Sequence, residues 1–189
     1  MCVIKSLIES NSSPEQITDR LLEYYLSDLE QGAHQNRTER GDRVQVHFSK
    51  LNPKTHTASF KTRDPQGSGK YHQQDLRFSE FTDIGREDMP IEDRLELALG
   101  AGQVLVYCQC EDFRYKGFKF MGHIGDYGIR KETRPPNIMN PGLDGTVCKH
   151  LIGVIQDIDS FLPEIADAWR EARSQDYRVV HRPLPPDPD

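Results

Sequence analysis

Two pairs of side chains with metal-binding chemistry stand far apart in this chain, Cys108 with Cys110 and Cys148 with His150, each pair separated by a single residue. If the four act together, the fold must bring both ends of the segment 111 to 147 to one point. Closing a loop of that length costs about 3 kcal/mol plus a constant. A structural zinc ion contributes on the order of 10–16 kcal/mol, so the separation is no obstacle. Zinc takes four soft or borderline ligands in a tetrahedron, with Zn–S near ~2.3 Å and Zn–N near ~2.0 Å. Residues i and i+2 of a strand share a face, so Cys108 and Cys110 converge on one ion if the strand end bends. At a turn that becomes a helix, Cys148 and His150 both aim inward. Cys108, Cys110, Cys148 and His150 therefore form a closed Cys3His set, which predicts zinc in a structural role.

Three rival readings stand beside this one. The cysteines are also what small buried hydrophobes look like, with His150 an ordinary helix-start residue. A disulfide between Cys108 and Cys110 strains its geometry, and a bridge from Cys148 strands one thiol. A catalytic zinc needs an open coordination position and a base; Glu111 and Asp112 are adjacent, but four protein ligands saturate the metal. Gly69-Lys70 does not open a phosphate loop, because Asp64 stands where the first glycine is required and Tyr71 where Ser or Thr is required. His123, in Gly122-His123-Ile124-Gly125, is better explained by glycine turn geometry than as a spare ligand.

Around the pairs, the sequence predicts an α+β fold: an N-terminal helix, a small antiparallel sheet, a zinc-linked strand and helix near the C-terminus, and an extended C-terminal arm. Ser13-Pro14-Glu15-Gln16 is a capping box with proline at the first helical position, and Ile17, Leu21, Tyr24, Tyr25 and Leu29 follow at helical spacing to Gly32. Gln35 to Asp42 reads as a polar connection. Val44 to Phe48 alternates as a strand and pairs with Thr57 to Thr62 through the turn at Asn52-Pro53. Asp64 to Lys70 reads as a mobile loop and Leu76 to Phe81 as another strand. Pro90 opens a helix to Leu99, stopped by Gly100-Ala101-Gly102, and Gln103 to Cys108 is the strand that delivers the first ligand pair. Phe113 to Phe120 has the aromatic alternation of a strand. Lys149 to Phe161 is helical, and Pro163 then starts a second short helix. The expected boundaries are an N-terminal helical segment 1–40, an α+β domain 41–178 containing the finger at 103–162, and a proline-rich arm 179–189.

Hydrophobic residues make up 35% of the chain and charged residues 29%, which predicts a modest core and much exposed or partner-covered surface. No apolar run approaches the roughly 18 residues of a membrane span, and Met1-Cys2-Val3-Ile4-Lys5 leads into polar sequence, so no membrane is expected and the chain is read as cytosolic. Cysteines in paired spacing fit metal binding in a reducing compartment, with Cys2 a free thiol. The net charge is −6, yet residues 41 to 70 are locally basic, with Arg43, Lys50, Lys54, Lys61, Arg63 and Lys70 against Asp42 and Asp64. The acidic whole weakens general attraction to DNA, while the local basic face can touch phosphate. Arg114, Lys116, Lys119, Arg130 and Lys131 are candidate contacts to nucleic acid or to a partner protein; the aromatics among them could stack bases, but an ordinary amphipathic strand is the better explanation of the pattern.

Cys108-Gln109-Cys110-Glu111-Asp112-Phe113 and Cys148-Lys149-His150-Leu151-Ile152-Gly153-Val154-Ile155 together resemble the SWIM zinc finger, in which C-x-C, a variable spacer and C-x-H lead into an apolar helix. The spacer here exceeds the usual short one. From Val104 to Ile155, including Pro136-Asn137-Ile138-Met139-Asn140-Pro141-Gly142-Leu143, the chain is also similar to small tailed-phage proteins described as virion structural components. The resemblance implies a non-enzymatic zinc protein of a phage head, neck or tail, assembled in the host cytoplasm and held by neighbouring virion subunits. A nucleic-acid-binding SWIM protein is the alternative, and a zinc hydrolase a third reading.

Overall fold

The computed structural model describes residues 35–67, 69–81, 89–100 and 102–180. The helix expected over Ser13 to Gly32 and residues 181–189 of the expected arm lie outside them. The fold is α+β, and its sheet is small and antiparallel, with strands in chain order: β1 (Gln45–Asn52), β2 (Thr57–Arg63), β3 (Tyr71–Phe78) and β4 (Val104–Cys108). Helices are α1 (Gln35–Gly41), α2 (Ile91–Gly100), the short α3 (Glu111–Tyr115) and α4 (Phe118–Ile124), and the long α5 (Lys149–Val180).

Strand alternation builds one buried face. Ala58, Phe60 and Thr62 of β2 pair with Leu76, Gln74 and His72 of β3, and Leu76 and Phe78 pair in turn with Val106 and Val104 of β4. Against this face α5 lays Leu151, Ile155, Ile158, Leu162 and Ile165, all buried. Full burial of each such side chain stabilises by about 1.5–3 kcal/mol. At the far end Trp169 stacks on Phe81 with ring centroids 4.0 Å apart.

The hairpin, the helix after Pro90 and the strand entering Cys108 all lie where the residue pattern places them. Four expectations are corrected. Gln35–Gly41 is helical, although polar, because it docks on α5: a side chain at Gly41 would stand 2.6 Å from Ile152 Cγ2, and Gln156 donates to Asp42 at 2.8 Å. β3 begins at Tyr71 and ends at Phe78, earlier than Leu76 to Phe81, since backbone pairing with β2 carries its polar first half. Phe113 to Phe120 is not a strand. The Cys110 sulfur caps α3 by accepting from the Phe113 N–H, and Gly117 turns the chain in the left-handed region (φ 83°) into α4. Helical geometry buries Phe113 and Phe118 and leaves Tyr115 exposed, which a strand cannot do.

Finally, Pro163 starts no new helix. It sits inside the 32-residue α5, which runs across residues 162 and 178, so Val179 and Val180 of the expected arm are helical. Proline removes one helical N–H and crowds the preceding turn, but the buried stripe is continuous across it from Ile158 to Ile165. Burial outweighs the local defect. Pro163→Ala is therefore expected to stabilise the fold by about 1–3 kcal/mol, read as a higher denaturant midpoint at unchanged slope; an unchanged midpoint would show that the defect carries no cost here.

Candidate metal centre

Cys108 ends β4, and Gln109 N–H continues the ladder to the Gln73 carbonyl at 2.9 Å, so the chain stays pinned to β3 until it turns at Cys110. Cys148 stands just before α5, its carbonyl accepting from the N–H groups of Leu151 and Ile152 at 3.0 and 3.1 Å, and His150 lies in the first turn. Cys108, Cys110, Cys148 and His150 are all buried, and their ligand atoms lie within 4.8 Å of one another. A tetrahedron with bonds near ~2.3 Å has edges of about 3.8 Å. The group is thus close to the spacing a metal ion imposes and can hold one. The three cysteines are free thiols, not a disulfide.

The sulfurs carry a prepared donor shell. Cys108 Sγ accepts from the Cys110 N–H and from Gln74 Nε2, both at 3.4 Å, and Cys110 Sγ accepts from Phe113 N–H at 3.3 Å. Burial is the largest influence on Cys108 and opposes its ionisation, yet hydrogen bonds from the Cys110 and Cys148 thiols, the Cys110 backbone and Gln74 together hold it well below the usual thiol range. Burial pushes Cys148 well above that range, with its hydrogen bonds to the other two sulfurs acting the same way. Three sulfurs packed this closely resist ionising together, and a divalent cation would offset that repulsion, because thiolates are the metal-binding form. Among the described residues His150 Nδ1 is buried with no hydrogen-bond partner. Such a nitrogen is costly unless something binds it, and coordination of this ring supplies the partner.

The segment between the half-sites is folded. Tyr127 and Ile129 hydrogen-bond to Val106 on β4, and Tyr127 Oη donates to the Thr146 carbonyl at 3.0 Å. Asn140 Nδ2 donates to the carbonyls of Lys116 and Asp144 at 3.1 and 3.0 Å, tying the 136–144 loop to α3 and α4. His123 is not in the cluster; its Nδ1 pairs with the Glu132 carbonyl at 2.8 Å.

Three neighbours escaped the residue pattern. Gln74, wholly buried on β3, is visible as inward-facing only if the strand is started at Tyr71. His72, one rung away, lies with its ring centroid 4.6 Å from that of His150; burial, then the His150 ring, holds it below the ordinary histidine range. Asp64, in the turn after β2, accepts from Lys149 between the two ligands of the second half-site. That hydrogen bond is the main reason its carboxyl lies below the usual carboxylate range, so the pair's stabilisation is present above about pH 4 and is lost as pH falls through the lower folded value.

The five candidate contact cations do not form one free surface. Lys116 pairs with Asp112 at 3.0 Å and Lys119 with Glu132 at 3.4 Å. Arg114 lies over the ring of exposed Tyr115, and Lys131 is exposed. Arg130 leaves the group and lies over Tyr107 of the sheet, 4.0 Å from its ring centroid. Phe113 and Phe118 are buried and cannot stack bases.

Comparison with protein-family models, with curated proteins and with solved structures finds no match to this chain. The site is thus characterised by its own geometry. If Gln74 tunes it, Gln74→Leu weakens metal retention by roughly 10–100-fold with the secondary structure kept, measured by competition against a chelating dye; unchanged affinity would reduce Gln74 to a packing residue.

Proposed function

We propose that this chain is a non-enzymatic, zinc-braced structural protein whose Cys108, Cys110, Cys148 and His150 form a SWIM-like finger with a long, folded spacer. The buried, closed Cys3His cluster carries the reading. Three sulfurs and one imidazole are the donor set of structural zinc, and four protein ligands leave no coordination position for a substrate. The site joins the end of β4 to the start of α5, the two elements that otherwise meet only through the core, in a chain with few apolar residues. Its role is mechanical.

The likeness of residues 104–155 to tailed-phage virion proteins supports placing it in a phage particle, assembled in the host cytoplasm and held by neighbouring subunits. Among the described residues, no helix is long and apolar enough to cross a membrane. Elemental analysis of the chain purified under reducing conditions without chelator is expected to give one zinc per chain, and a metal-free folded preparation would overturn the reading. Mass spectrometry of purified native particles is expected to detect the chain at stoichiometric level; its absence there removes the virion assignment and leaves the zinc brace standing.

A further inference from the structure

The sheet has a second face, opposite the one that α5 covers, and its chemistry differs from the rest of the molecule. The register sets it out in rungs: Arg63 beside Tyr71, Lys61 beside Gln73, then Lys50, Ser59, Asp75 and Tyr107 in line, and finally Thr57 beside Arg77. Arg130 reaches in over Tyr107 from the loop after α4. Lys50, Lys61, Arg63, Arg77 and Arg130 therefore share this face with a single strand-borne carboxylate, Asp75, which already accepts from Ser59 and Gln73 at 2.8 and 2.9 Å. Among the described residues none of those five cations is ion-paired. An open trough of about 570 Å³ lies along the face between Lys50, Arg77 and Arg130.

A face this basic on a chain of net charge −6 is local, so it selects an anionic partner without making the whole protein sticky. Its aromatic content decides which anion. Tyr71 is 58% exposed with the Arg63 guanidinium 5.7 Å from its ring centroid, and the Arg130–Tyr107 pair is a second planar element. Carboxylates of an acidic peptide make no use of planar surfaces, whereas unpaired bases stack on them while cations track the phosphates. A duplex hides its base faces. From Tyr71 to Arg77 the strand spans about 20 Å at ~3.4 Å per residue, room for a few nucleotides.

We propose that this open sheet face binds single-stranded nucleic acid, with phosphates among Lys50, Lys61, Arg63 and Arg77 and bases stacked on Tyr71 and on the Arg130–Tyr107 pair. The surface lies apart from the metal centre, so the proposal goes beyond the zinc-brace reading and fails or stands independently of it.

The test uses the full, metal-loaded chain and a fluorescent oligothymidylate of about 15 nucleotides, followed by anisotropy across a salt series. Binding is expected to weaken with salt at a log–log slope near −3, as for about four phosphates on a single strand. Lys61→Ala with Arg63→Ala is expected to reduce that slope by about 1.4, and Tyr71→Ala to lower affinity roughly tenfold at unchanged slope. All three side chains are exposed, so melting temperature and zinc content, measured alongside, are expected to stay at wild-type values. No binding at about 50 mM salt, equal affinity for a duplex of the same length, displacement by polyglutamate as effective as by unlabelled strand, or variants that bind like wild type would each overturn the proposal. The polyglutamate result would assign the face to an acidic protein instead.

Discussion

Replacing Cys148 with serine is expected to strip the metal and collapse the fold. Cys148 is wholly buried at the start of α5, and its sulfur lies among those of Cys108 and Cys110. Serine offers a hard oxygen that holds a proton at neutral pH, so the site drops to three ligands. Structural zinc contributes on the order of 10–16 kcal/mol, and a domain's whole stability is about 5–15 kcal/mol, so losing most of the former leaves little of the latter. The expected result is zinc falling from one equivalent to near none, with near-ultraviolet circular dichroism lost and α5 partly retained by its own helical signal. Excess chelator on the wild type should give the same spectrum. A Cys148→Ser protein that kept its metal, or lost it with the melting temperature within a few degrees of wild type, would remove the metal from the stability account.

The second large effect is expected at Gly117→Ala. Gly117 has φ 83°, and a Cβ there would stand 2.1 Å from Pro136 Cγ and 2.9 Å from its Cδ. The left-handed backbone alone costs roughly 1–2 kcal/mol for a non-glycine residue. Pro136 is a rigid ring whose carbonyl accepts from the Asn140 N–H, so it can yield only by moving the loop that Asn140 ties to Lys116. Overpacking of this kind adds about 1–3 kcal/mol. A total near 3 kcal/mol lowers the melting temperature by about 6–12 °C in a chain of this size. Gly142→Ala serves as the contrast, because its nearest new neighbour is the Asp144 carboxylate oxygen at 3.2 Å, the end of an exposed side chain. It should shift melting by no more than a few degrees. Equal melting temperatures for the two variants would show that the 136–144 loop is not held against α4 in solution.

The residue pattern picked out the four residues of the buried cluster because spacing encodes them. Cys-x-Cys at a strand end and Cys-x-His at a helix start are local geometries, readable without knowing what lies between. The hairpin and the strand from Val104 were legible for the same reason: alternation over a few residues and a proline turn are short-range signals. What misled was competition between local and distant forces. Phe113 to Phe120 alternates like a strand, but a sulfur at Cys110 captures the Phe113 N–H and starts a helix, which no alternation rule includes. Pro163 reads as a helix start only while the core beneath it is unknown. Gln35 to Gly41 has no apolar stripe and becomes helical by docking on α5.

By itself, then, the sequence determined the α+β class, the hairpin, the strand entering Cys108 and the four residues able to hold a metal, because each rests on interactions between residues close in the chain. Only the tertiary structure decided that the four residues meet, that Gln74 of β3 and Asp64 after β2 flank them, and that Arg130 joins the sheet cations on one open face. These depend on strand register and on the docking of α5, where burial of many apolar groups at once sets positions that no single residue prefers. The two distant pairs name the chemistry, and the packed sheet and helix between them set its geometry.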